Sequence, residues 1–190
     1  MDTDELKTLP NYRAPGASRL VFESHTEFVR FVMNGLPPVL PMGAREIIVA
    51  HAARGGGWHI KGRVPLYWYN LWGQAVTRKT ISSGVLFTVL RAPGGKYHPF
   101  RAYTSVADAY SGYLANLDYY DTGASGWFMS RGVSASKAEC HHFTKVIAPR
   151  WFAKKADLSK FADDMDWIIR NKVRPAMKNE DGTAWLPSYS

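Results

Sequence analysis

Five aromatic residues crowd one short stretch, Trp58, Tyr67, Trp68, Tyr69 and Trp72, with Lys61 and Arg63 among them. Flat aromatic faces beside polar and cationic side chains can pack on sugar rings, the polar neighbours bonding hydroxyls. They can also stack on the bases of single-stranded nucleic acid, with cations on the phosphates. Some of them are equally well read as core. A second constellation is Cys140-His141-His142. These are zinc-ligand types, but neighbours on a helix point about 100 degrees apart, so the three cannot converge on one ion without outside ligands.

The charge pattern narrows the chemistry. From Ile47 to Ala107 there is no Asp or Glu, while Arg54, Lys61, Arg63, Arg78, Lys79, Arg91, Lys96 and Arg101 fall within that stretch. The whole net charge of +8 therefore belongs to one third of the chain. Such clustering points to a polyanionic partner: nucleic acid, an anionic membrane surface or bacterial wall polymers. Gly55-Gly56-Gly57 is followed by Trp58, with no lysine and hydroxyl pair, so it is not a phosphate-binding loop. There is no dinucleotide fingerprint and no serine elbow. No metal or cofactor is expected.

The elements that must position these residues can be read from caps and periodicity. At 190 residues the chain is long enough for one sizeable core. Residues 1–22 read as an irregular arm. Ser24 and Glu27 have capping-box spacing, and Phe28, Phe31 and Val32 recur at helical intervals, predicting a helix near 25–34. The run from Val39 to Arg54 is apolar nearly all round and predicts a buried helix that the three glycines stop. Residues 62–103 turn to β signals, with Val85–Leu90 and Tyr97–Tyr103 on either side of Pro93-Gly94-Gly95.

Helical signals return at Ser105 with Asp108 and at Ser136 with Glu139. Leu158, Phe161, Met165, Ile168, Ile169 and Val173 mark an amphipathic helix ending before Pro175, and 178–190 reads as a loose polar tail. The sum is one α+β, mainly helical domain over 23–177, with a small β-hairpin lobe near 62–103. No apolar run reaches the length of a membrane span. Met1–Pro10 is polar and acidic and does not read as a secretion signal, and the single Cys140 fits synthesis in a reducing compartment.

Three segments taken in order carry a resemblance: Ala50-His51-Ala52-Ala53-Arg54-Gly55-Gly56-Gly57-Trp58, then Tyr69-Asn70-Leu71-Trp72-Gly73, then Phe100-Arg101-Ala102-Tyr103-Thr104-Ser105. Together they resemble the glucosaminidases of glycoside hydrolase family 73, the group of flagellar-rod hydrolases and bacterial and phage autolysins. The resemblance implies a lysozyme-like fold and a peptidoglycan or other wall-glycan partner. It implies a saccharide cleft built from Trp58, Tyr69, Asn70, Trp72, Tyr103 and Tyr120, with Tyr119 an alternative to Tyr120. It also disfavours nucleic acid, which the charge alone does not.

The same resemblance places the catalytic glutamate on Gly55. Glycine cannot exchange a proton, whereas glycoside hydrolysis needs a carboxylic acid to protonate the leaving oxygen. The family's candidate second acid lies in the β lobe, which here has none. The expectation is a wall-recognising domain that is inactive or impaired, carried to the wall by a phage particle or contractile injection assembly, with other proteins of that assembly as partners. The alternatives are an active enzyme using a relocated acid, Asp118, Asp121 or Glu139, and a structural or nucleic-acid-binding module.

Overall fold

The computed structural model describes residues 3–91, 95–119, 122–148 and 157–188. Its helices and strands, in chain order, are α1 (Thr3–Lys7), β1 (Arg19–Leu20), α2 (His25–Gly35), α3 (Met42–Gly55), β2 (Leu66–Tyr67), α4 (Arg78–Ser82), β3 (Phe87–Arg91), β4 (Tyr97–Arg101), α5 (Val106–Asp118), α6 (Ala124–Met129), α7 (Lys137–His142) and α8 (Leu158–Ile168). Wide π turns extend α7 over Phe143–Ile147 and α8 over Ile169–Val173.

Helix α3 is the axis of the fold, and every residue from Gly43 to Ala53 is buried. Its polar members must then be satisfied internally. Arg45 donates to the carbonyls of Met33, Pro37 and Leu40, which ties the end of α2 to the start of α3. Glu46 accepts from the Ala135 N–H at 2.6 Å and from Arg174 at 2.8 and 3.1 Å. His51 Nδ1 lies 2.8 Å from the Tyr113 hydroxyl. Around this axis pack α2, α5 and α8, with Phe28, Val32, Tyr113, Phe143 and Met165 in one continuous core.

The predicted β lobe is present as an antiparallel hairpin, with Phe87 opposite Arg101 and Arg91 opposite Tyr97. The N-terminal arm departs from its irregular reading. It supplies α1 and β1, and β1 pairs with β2. Asn11 and Arg13 exchange backbone hydrogen bonds with Phe87, at 3.1 and 2.7 Å. Leu6 completes a second small core with Val76, Ile81, Phe87 and Val89. Strands of two residues are too short to show a period in sequence, so the arm gave no such signal.

Two endings also differ from the sequence reading. The last helix runs on to Ala176, past Pro175. The wide turn at Ile169–Val173 resets the hydrogen-bond pattern, so Pro175 falls in the first turn of the next piece, where its missing N–H costs little. The polar tail is docked as far as it is described. Arg30 donates to the Ala176 and Lys178 carbonyls and lies 5.2 Å over the Trp185 ring, and the Ser188 N–H donates to Asn34.

Candidate functional site

The three glycines at the end of α3 have different reasons to be glycine. Gly57 has φ +102°, a conformation that side chains resist. At Gly56 an added Cβ would drive into the Leu71 carbonyl. Both N–H groups return to the Ala52 carbonyl, at 2.8 and 3.2 Å, closing the helix. Gly55 is exposed, and a Cβ there would meet, among the described residues, only the His51 ring, at 3.5 and 3.7 Å. That is ordinary van der Waals contact. The backbone therefore requires glycine at 56 and 57 and not at 55.

The predicted aromatic site divides into two groups. Trp58 and Tyr69 are half-buried. Trp58 stands edge-on to His25 (4.5 Å) and Phe28 (5.5 Å), and Tyr69 stacks on Phe31 at 6.0 Å. Both are thus braced by α2 while keeping exposed surface. Trp72 is a correction: it is 1% exposed, stacked on Tyr113 at 4.5 Å, and offers no face to a ligand.

Asn70 and Tyr103 are buried as well. Asn70 bonds the Gln74 N–H and the carbonyls of Gln74 and Arg101. The Tyr103 hydroxyl donates to Gln74 Oε1, and burial pushes its pKa up to about 12. The two, with Gln74, form a polar clamp that shapes the floor beneath the lobe. Sequence reasoning passed over Gln74, whose role depends on contacts with residues 29 and 38 positions further along. Tyr120 lies outside the described residues.

The candidate acids are held in ways that limit them. Glu139 Oε2 accepts from the Ser136 N–H and hydroxyl in a capping box, and Oε1 accepts from Arg131 at 2.9 Å. Burial raises its pKa, but the Ser136 bonds and Arg131 outweigh that and hold it below the usual range. It is a structural anion, unsuited to protonating a leaving group. Asp118 is exposed and accepts from the Ser125 hydroxyl at 2.5 Å. Asp121 lies outside the described residues.

Sequence reasoning did not weigh Asp164, which α8 brings to Arg54 beside Gly55, at 2.8 Å. Burial raises its pKa, but Lys160 and Arg54 outweigh that and keep it ionised. In the Cys140 cluster, Cys140 is buried, His141 faces Asp163 at 3.0 Å and His142 stacks on Trp127. The three side chains diverge.

The acid-free stretch acquires counter-charges from elsewhere. Arg54 pairs with Asp164, Lys61 lies 3.8 Å from Glu23, and Arg78 lies 3.7 Å from Glu5. Lys79 and Arg101 line a groove of about 700 Å³ between the lobe and the end of α5. No helix among the described residues is long and apolar enough to cross a membrane.

No family model and no curated protein matches the chain. Solved structures do. A glutamate-to-alanine mutant of a peptidoglycan hydrolase from Sphingomonas sp. A1 is 19% identical with a TM-score of 0.52, covering 80% of this chain and 94% of its own. A second structure of peptidoglycan hydrolase from Sphingomonas sp. A1 is 17% identical with a TM-score of 0.51, covering 87% and 94%. The glycoside hydrolase domain of FlgJ from Salmonella typhimurium is 17% identical with a TM-score of 0.50, covering 92% of each chain. At these identities the likeness is one of fold. The lysozyme-like α+β architecture expected from the motifs is the one found.

Proposed function

We propose that the chain recognises peptidoglycan through a cleft at the end of α3 and hydrolyses it poorly or not at all. One observation carries the reading: Gly55, the position that the motif order equates with a catalytic glutamate, is exposed, has room for a side chain, and has none. Protonation of a glycosidic oxygen needs a carboxylic acid with a raised pKa. Glu139 and Asp164 are instead held ionised by their partners, the opposite of what an acid catalyst needs.

Recognition can survive this loss, because it uses other groups. Trp58 and Tyr69 offer braced aromatic surface for sugar rings, and the excess cations of the lobe attract an anionic wall. Adhesion without cleavage suits a wall-facing component of a phage particle or contractile injection assembly.

The test is co-sedimentation with purified sacculi alongside assay of released reducing ends. The expected result is binding without release for the chain as written, and release by Gly55→Glu. Robust release by the unaltered chain would overturn the proposal in favour of a relocated acid such as Asp118. Absence of binding at low salt would overturn it in favour of a structural role.

A further inference from the structure

We propose that the groove between the β lobe and the end of α5 is a subsite for the free carboxylates of peptidoglycan peptide stems, a reading that rests on wall binding by the neighbouring cleft. The groove is about 700 Å³, and Lys79 and Arg101 line it together with Thr77, Thr80, Asn116 and Tyr119. No described lining residue is acidic. Gly73 also lines it, two residues along the chain from Leu71, whose carbonyl packs on Gly56 at the end of α3.

Arg54, Lys61 and Arg78 each have an acid partner, whereas Lys79 and Arg101, like Arg63, Arg91 and Lys96 outside the groove, have none among the described residues. Arg101 is half-buried, and its backbone is fixed by bonds to Gln74 and Asn70, which holds the residue at the groove without neutralising its charge. Two uncompensated cations in one concavity focus potential on an incoming anion.

The rest of the lining selects among anions. Asn116 and the threonines offer donors and acceptors suited to peptide amides. A single-stranded nucleic acid needs successive stacking faces along its path. Among the described residues that line this groove the one aromatic is Tyr119, which is 80% exposed. A peptide stem ending in a carboxylate matches that composition better.

The experiment compares three materials by sedimentation or competition: intact sacculi, sacculi stripped of stems by an amidase, and a single-stranded oligonucleotide. Two variants change net charge equally: Lys79→Glu inside the groove, and Lys96→Glu in the β3–β4 connection outside it. We expect intact sacculi to bind about fivefold more tightly than stripped glycan at low salt, as rim charges do. Lys79→Glu should abolish that preference and Lys96→Glu should keep it.

Equal binding of intact and stripped sacculi overturns the subsite while leaving wall recognition standing. So does an equal effect of the two variants, which would mean diffuse charge. Displacement of sacculi by the oligonucleotide overturns it in favour of nucleic acid. Binding to neither wall material sinks the wall reading itself.

Discussion

A Cβ at Gly55 rests 3.5 Å from Cδ2 of His51, one helical turn back, in ordinary contact with the ring edge. The position therefore accepts a Cβ without a clash. Replacing a helical glycine gains about 0.5–1 kcal/mol, and a carboxylate at a helix C-terminus loses about 0.3–1 kcal/mol. Gly55→Glu should leave the thermal midpoint nearly unchanged. Gly56→Ala, forced against the Leu71 carbonyl, should cost about 2 kcal/mol or more. Equal destabilisation of the two variants would contradict the open space at 55.

That pair also shows where the sequence was readable. The triple glycine is a helix stop on local grounds, and the caps at Ser24, Ser105 and Ser136 act within three residues, so all were legible. Which glycine is obligatory depends on Leu71, a tertiary neighbour that no local pattern announces. The partition of the aromatics has the same cause, since Trp72 is core because α5 presents Tyr113 to it. The counter-charges at Glu5, Glu23 and Asp164 are contributed by distant segments, so the acid-free stretch looked more uniformly basic in sequence than it is in space.

The two tryptophans should separate recognition from stability. Trp72→Ala opens a cavity against Tyr113 and should cost about 3–5 kcal/mol, read as a lowered urea midpoint. Trp58 is half-buried, so Trp58→Ala should cost less and leave a cooperative transition, while weakening sacculus sedimentation severalfold. A Trp58→Ala protein that folds and sediments like the parent would remove Trp58 from the cleft.

Glu46 and Glu139 offer a second contrast. The Glu46 carboxylate is 5% exposed and pairs with Arg174 and the Ala135 N–H, joining α3 to the end of the α8 helix and to the loop before α7. Glu46 is buried while Arg174 stays 38% exposed, so Glu46→Gln weakens charged hydrogen bonds without stranding the cation and should cost about 1.5–3 kcal/mol. Glu139→Gln keeps the cap geometry and a neutral bond to Arg131, and with the side chain 21% exposed it should cost less, about 1 kcal/mol. Chemical denaturation of both variants checks the order, and a Glu46→Gln loss no greater than that of Glu139→Gln would contradict it.

His51 should give the fold a defined acid sensitivity. It is fully buried within a ring of Tyr113, Phe143 and Phe161, and burial lowers its pKa to about 3. In the unfolded chain the same imidazole titrates near its ordinary value of 6.5. Above that pH both states are neutral, and the group adds no pH dependence. Below it the unfolded chain binds a proton that the native protein excludes until about pH 3, so stability falls steadily across that window. The slope reaches at most about 1.4 kcal/mol per pH unit for one proton. Burial lowers His59 in the same direction, and His25 follows through burial and then Lys172 and Arg63. Gln at position 51 can still bond the Tyr113 hydroxyl but cannot titrate. Unfolding free energy measured between about pH 6 and 4.5 should therefore flatten by about one proton in His51→Gln. An unchanged slope would mean that His51 is not held neutral in the native core.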